Sequence, residues 1–199
     1  SNFFISIGFE DLVFIKKLLV ILVLVFIYTS LVNISNFSDG LDGLLGGSML
    51  IVFFTLYLSL SNQNYLLPLI ASLLAFLTWN WYPSKIFMGD SGSYFLGSVY
   101  FSSILDSTSL IEGFSLLFLA FPIYADVSIT MIRRLINKQN IFKAHKLFLF
   151  QRLHQSGLSH AAVCILYLFA SILVNLSFLL GGIHNLLMTS SLIILFGFY

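Results

Sequence analysis

Apolar residues in this chain rarely alternate with polar ones. They run nearly unbroken for a helix-length stretch, stop at a short polar interruption, and resume. Barrel strands would alternate with a period of two. Segments that are apolar all round, and close to the roughly 20 residues needed to cross ~30 Å of hydrocarbon, predict membrane helices. Seven such segments stand out: 18–35, 44–61, 65–81, 93–105, 113–132, 161–182 and 185–199. The fourth is short for a span unless it runs on to about residue 108, and Pro122 predicts a kink in the fifth. The pattern predicts an all-α polytopic integral membrane protein of about seven transmembrane helices. No linker, low-complexity tract or internal repeat divides it, so residues 1–199 read as one transmembrane domain.

Composition removes the alternatives. The chain is 59% hydrophobic and 9% charged, whereas a soluble domain carries about 25% charged residues. So few charges do not coat a globule, and the partners to expect are the lipid bilayer and amphiphiles, not nucleic acid. The single cysteine, Cys164, lies in an apolar run and reads as packing. The chain starts at Ser1, begins and ends in apolar sequence, and shows no signal peptide, which predicts a fragment that is incomplete at its N-terminus.

The charges are unevenly placed. Six of the nine Lys and Arg residues fall between positions 133 and 152, and no acid lies among them. The positive-inside rule makes this stretch cytoplasmic. Counting spans backward puts 106–112 outside, 82–92 inside, 62–64 outside and 36–43 inside. Asp39, Asp42, Asp90, the end of the fifth span with Asp126, and the basic loop with His145 then share the cytoplasmic face. His184 falls on the opposite face, and Lys16 and Lys17 run against the rule.

Each candidate has a bland reading beside the chemical one. Asp39 and Asp42 lie three apart, each followed by glycine. Two close carboxylates repel and need a cation or a shared proton, yet Asp-Gly is also ordinary turn chemistry. Asn33 and Asn36 precede them as binding amides or helix-end caps. Asp90, in Gly89-Asp90-Ser91-Gly92-Ser93, is either an N-cap or a metal or phosphate ligand at a helix N-terminus. Asn80, Trp81, Tyr82 and Phe87 flank it, as base-contacting groups or as an interfacial aromatic belt. Asp126 is costly in a span and must find a partner. Arg133 and Arg134 read as a basic flank. His145 sits among Lys143, Lys146 and Arg152 as the best histidine for phosphate contact, with His154 and His160 weaker.

Together these features suggest Mg2+-dependent chemistry on a phosphorylated substrate, since Mg2+ takes one or two carboxylates plus substrate phosphates. A transporter coupling protons through its carboxylates stands as the alternative.

The motifs carry more. Asn33-x-x-Asn36-x-x-Asp39-Gly-x-Asp42-Gly-Leu44, Asn80-x-x-Pro83-x-Lys85-x-Phe87-x-Gly89-Asp90-x-Gly92-Ser93, Pro122-x-x-x-Asp126 with Arg133-Arg134, then Ala144-His145-Lys146 and Gln151-Arg152-Leu153 resemble the polyprenyl-phosphate N-acetylhexosamine-1-phosphate transferases. The peptidoglycan phospho-MurNAc-pentapeptide translocase is a relative of that family. The resemblance covers roughly residues 30 to 160. It implies transfer of sugar-1-phosphate from a UDP-N-acetylhexosamine to undecaprenyl phosphate with release of UMP, at the cytoplasmic face of the bacterial inner membrane. It further implies Mg2+, with Mn2+ as a substitute, on Asp90 and Asp39, and Asp42 nearer the uridine. Asn36 would belong to the same site, Asn80 and Phe87 would line the nucleotide pocket, and His145 and Arg152 would meet the diphosphate or sugar. Asp39, Asp42, Asp90 and His145 are the catalytic candidates. The family's earlier Asp-Asp loop has no counterpart in this chain, which again predicts missing N-terminal helices and leaves a non-catalytic remnant as an alternative. Phe148 stands where a second histidine of the loop is expected. Gln151-Arg152-Leu153 favours the O-antigen-initiating branch over the peptidoglycan branch. The sequence is silent on oligomeric state, leaving a homodimer open, and on which sugar is carried.

Overall fold

The computed structural model describes residues 2–61, 63–140, 143 and 145–197. Ala144 of the basic loop, Asn62 of the 62–64 turn and the last two positions of the predicted span 185–199 lie outside them. Among the described residues the chain is helical throughout, with no strand: α1 (Asn2–Ser6), a 3-10 turn (Phe9–Asp11), α2 (Phe14–Ser38), α3 (Leu44–Ser59), α4 (Leu66–Asn80), α5 (Gly89–Ile104), α6 (Leu110–Leu117), α7 (Phe121–Ile136), α8 (Leu149–Gln155) and α9 (His160–Gly197). The protein is thus the all-α polytopic membrane protein that its hydrophobic pattern predicts.

The span boundaries need correction. Two helices are long and apolar enough to cross a bilayer alone, Phe14–Ser38 and His160–Leu195. The second of these holds both predicted spans, 161–182 and 185–199. Gly181 and Gly182 leave the helical range and divide it into two helices, so the break falls beside the boundary that the hydropathy predicts. The fifth span is a bent pair, α6 and α7, meeting at 77°. The break falls at 118–120, ahead of Pro122, which sits in the first turn of α7. There its missing N–H leaves no helical hydrogen bond unmade. The fourth span gains its length at the other end, starting at Gly89 and stopping at Ile104. The shorter apolar helices α3 and α4 complete the set.

Two packing groups organise the bundle. Helix α2 lies along α5 and α7, while α3 lies between α4 and α9, with α7 also against α9. Leu44, Leu45, Met49, Val52, Phe53 and Leu56 of α3 are fully buried, so α3 is the central helix. Few residues of helix α2 are fully buried along its apolar length. In a bilayer that surface faces lipid or other helices, because its Leu, Val, Ile and Phe side chains have no affinity for water.

Candidate functional site

The C-terminus of α2, the turn into α3, the α4–α5 loop and the start of α5 meet at one end of the bundle. The side-chain amide of Asn36 donates to Asp90 Oδ1 at 2.9 Å and to Ser93 Oγ at 3.0 Å. Asn36 is on the last turn of α2, and Asp90 and Ser93 are on the first turn of α5. Asp90 is not the N-cap, a position held by Met88. It lies inside the first turn, where its charge complements the helix dipole.

Asp39 ends α2 as its C-cap. Its carboxyl is pushed up from 3.8 to about 6, first by burial, then by the charges of Asp90 and Asp42. Three carboxylates therefore share one region with too little positive charge to balance them. Asp42 sits in the turn before α3. It accepts from the Ser84 backbone N–H at 3.3 Å and lies 3.9 Å from His160 Nδ1.

Asn80 is buried and braces this arrangement. Its carbonyl accepts from Gly43 N–H at 3.0 Å, and its amide donates to the Ile86 carbonyl at 2.8 Å. Both ends are engaged by backbone, so Asn80 joins the 39–43 turn to the 81–88 loop. Gly43 adopts a left-handed φ of 77°, and a Cβ there would meet the Trp81 ring at 3.0 Å. The turn needs glycine on both counts. Phe87 is 75% exposed in the same loop.

The basic segment is docked on this end by Asp126. Asp126 is fully buried on α7. Its oxygens accept from the Leu149 N–H at 2.6 Å, the Phe150 N–H at 3.1 Å and the Tyr167 hydroxyl at 2.7 Å. The two amides are the unpaired first donors of α8, so Asp126 caps α8 from another helix. Phe150 then presses against Gly40, where a Cβ would come within 2.8 Å of its ring. Sequence placed Asp126 on the right face but missed this role.

Arg134 is also buried, 5% exposed. Its Nη2 donates to the carbonyls of Asn140 and Lys143, while Nε and Nη1 have no hydrogen-bond partner among the described residues. A buried guanidinium with two open donors is costly alone and suits a bidentate anion. Reading Arg134 as a basic flank overlooked it. Asp126, Thr130 and Arg134 recur every four residues and all are buried. That spacing puts them on one helix face, the signal that was available.

His145 is half-buried beside Arg134, and its ring stands edge-on to Phe148 at 4.7 Å between centroids. Burial, and then the Arg134 charge, lower its proton affinity. Its Nδ1 accepts from the Leu147 N–H at 3.3 Å. Arg152 is exposed on α8. The structure therefore gathers Asn36, Asp39, Asp42, Asp90 and Asn80 at one end of the bundle. It sets His145 with Arg134 on the basic segment and leaves Phe87 and Arg152 at the surface. Among the described residues, no three His, Cys, Asp or Glu side chains converge closely enough to enclose a cation by themselves. Two carboxylates with excess negative charge remain suited to an ion whose other ligands are phosphate and water.

The chain is similar to known proteins. The sequence profile of glycosyl transferase family 4 matches residues 2–108. A Bacillus subtilis (strain 168) protein named "Probable undecaprenyl-phosphate N-acetylglucosaminyl 1-phosphate transferase" is 40% identical over 149 residues, covering 68% of this chain and 41% of that protein. The phospho-N-acetylmuramoyl-pentapeptide-transferase of Prochlorococcus marinus (strain NATL2A) is 38% identical over 65% of this chain and 38% of its own length. The undecaprenyl-phosphate alpha-N-acetylglucosaminyl 1-phosphate transferase of Thermotoga maritima is 35% identical over 58% of this chain and 36% of its own length. The chain thus spans about two fifths of the length of these curated relatives.

Proposed function

The chain belongs to glycosyl transferase family 4, and on that footing we propose that it carries the nucleotide-sugar end of a phosphoglycosyl transfer site. A phosphate oxygen of undecaprenyl phosphate attacks the sugar-linked phosphorus of a UDP-N-acetylhexosamine. The new O–P bond joins lipid to sugar-1-phosphate, the bond between the two phosphorus atoms' bridging oxygen and the attacked phosphorus breaks, and UMP leaves. The observation that carries this reading is the Asn36–Asp90 hydrogen bond, with Asp39 beside both Asp90 and Asp42. It puts two motifs 54 residues apart into one acidic site.

In this reading Asp39 and Asp90 hold Mg2+, which neutralises charge on the diphosphate. Asn36 orients the Asp90 carboxylate, and Asp42 faces the nucleoside, with Asn80 holding its turn in place. Arg134, through its two open N–H groups, and His145 bind phosphate oxygens. Arg152 and the exposed Phe87 close around the donor. Positioning and electrostatics account for most of phosphoryl-transfer catalysis, and these residues supply both. The site lies at the cytoplasmic face of the plasma membrane, where the basic segment stays. The acetylhexosamine donor of O-antigen-type initiation is preferred over the MurNAc-pentapeptide donor, in line with the name of the Bacillus subtilis relative.

The test is UMP release in membranes containing the chain, with undecaprenyl phosphate, Mg2+ and either UDP-N-acetylglucosamine or the UDP-MurNAc-pentapeptide. Release with the first donor, lost in Asp90→Asn while membrane insertion persists, supports the proposal. Release with the second donor alone moves the chain to the peptidoglycan branch. Full activity in Asp90→Asn overturns the metal assignment.

A further inference from the structure

Two histidines that the acidic site does not account for meet at the α8–α9 turn. His154 ends α8 and His160 begins α9. Their rings stand edge to face, with centroids 4.2 Å apart and Nε2 atoms 3.2 Å apart. His154 Nδ1 lies 2.9 Å from the Leu158 carbonyl. On its other side, His160 Nδ1 faces Asp42 Oδ2 at 3.9 Å, and the two side chains are 27% and 16% exposed. Tyr82 packs on the His160 ring at 5.1 Å.

Hydrogen-bond chemistry fixes the protons. A carbonyl only accepts, so His154 Nδ1 carries a hydrogen. The contact between the two Nε2 atoms needs one hydrogen between them. When the pair carries one positive charge, two arrangements satisfy this, differing only in which Nε2 holds the shared hydrogen. If His154 holds it, His160 is a neutral ring whose hydrogen is on Nδ1. If His160 holds it, His160 is an imidazolium with hydrogens on both nitrogens. In either case an N–H on His160 Nδ1 points at the Asp42 carboxylate. In a neutral pair, by contrast, the Nδ1 lone pair faces that carboxylate. The described groups facing His160 are Asp42 from the turn, Tyr82 from the α4–α5 loop and His154 from α8. Cys164, one turn further along α9, is buried.

We infer that His160 is a positioning residue for Asp42, held by a proton shared with His154. The pair acts as a latch from the α8–α9 turn onto the turn that carries Asp42. Asp42 lies between the Ser84 backbone amide, from which it accepts a hydrogen bond, and His160 Nδ1, which is 3.9 Å away and has no hydrogen-bond partner among the described residues, so a protonated His160 steadies the carboxylate as an ion pair. The inference rests on the proposed function in one respect, that Asp42 faces the nucleoside of the donor. The latch then sets affinity for the uridine nucleotide and leaves the lipid acceptor untouched.

The experiment compares the parent with His160→Ala, His160→Gln and His154→Ala. UMP binding and the KM values for UDP-sugar and undecaprenyl phosphate are measured across pH. His160→Ala should weaken UMP binding and raise the donor KM by roughly twofold to fivefold, the worth of one partly exposed ion pair, with kcat and the acceptor KM unchanged. His160→Gln, whose amide can donate toward Asp42, should restore donor affinity. His154→Ala should lie between the parent and His160→Ala. Unchanged UMP affinity in His160→Ala overturns the inference, as does a fall in kcat at constant donor KM. If the parent binds no uridine nucleotide, the proposed function fails instead. The latch is then read by 15N spectra of labelled histidine, where Asp42→Asn should shift the His160 Nδ1 signal and its titration. No shift there removes the latch.

Discussion

Gly97 on α5 lies directly against the backbone of Val32 on α2: a Cβ at Gly97 would come within 2.9 Å of Val32 Cα and 2.7 Å of Ser35 Oγ. One of these atoms belongs to backbone and cannot swing away. Gly97→Ala should therefore wedge α2 from α5 at a cost of about 1–3 kcal/mol. The wedge also loosens Asn36 from Asp90, which lie along the same helix pair. Expected results are a lower unfolding temperature in detergent and reduced UMP release. A variant as stable and active as the parent would mean that the two helices are free to separate.

Asn36 reaches Asp90 with an N–H donor, so its replacement by a carboxylate reverses the interaction. Asn36→Asp puts a second anion about 2.9 Å from the first. Losing a hydrogen bond to a charged group lowers turnover by about tenfold to a hundredfold, and the added repulsion makes Asn36→Asp worse than Asn36→Ala. Initial rates at saturating Mg2+ measure this order. The reverse order would place Asn36 outside the acid cluster.

Asp39 gives the site a pH dependence. Its folded carboxyl titrates at about 6 against 3.8 when free. Between those values the folded protein holds a proton that the unfolded chain releases, so stability falls as pH rises from about 4 to about 6. Binding of a divalent cation runs the other way. On the proposed function it should strengthen as pH rises through about 6, because protonated Asp39 no longer neutralises an ion. Mn2+ binding followed by electron paramagnetic resonance should show this inflection, and Asp42→Asn should move it lower by removing one of the charges that raise Asp39. An inflection unmoved by Asp42→Asn would separate the two residues.

Asp126→Ala removes the acceptor for two α8 amides and for the Tyr167 hydroxyl together. Leaving such buried donors unpaired costs about 3 kcal/mol. The loss should appear as release of α8 and of the basic segment, measured as faster proteolysis within 137–148 in membranes, with the apolar helices still protected. Tyr167→Phe, which removes one of the four bonds that Asp126 accepts, should have a smaller effect. Equal cleavage rates in parent and Asp126→Ala would show that α8 is held by other contacts.

Much of the architecture was legible in the residues. Runs of Leu, Ile, Val and Phe far above the hydropathy of a soluble chain dictate membrane helices, and the cluster of six basic residues after Ile132 assigns a side. Counting the four spans between Asp42 and Arg133 puts Asp39, Asp42, Asp90 and Asp126 at one end, as the structure does. Helix breaks were legible in part. The break at Gly181 and Gly182 falls beside the predicted boundary between 182 and 185, whereas Pro122 marks the start of α7 where its position suggested a kink within one span.

Transfer of apolar side chains from water to lipid depends on each residue almost independently, so the sequence alone determined that the chain is helical, embedded in a membrane and acidic at one end. Hydrogen bonds and ion pairs depend on the distance between two particular atoms from remote parts of the chain. Tertiary structure alone therefore decided that Asp126 caps α8, that Asn80 braces two turns, that Arg134 is buried with two donors open, and that His160 reaches Asp42. A residue's type limits what it can bond, and the fold supplies the partner.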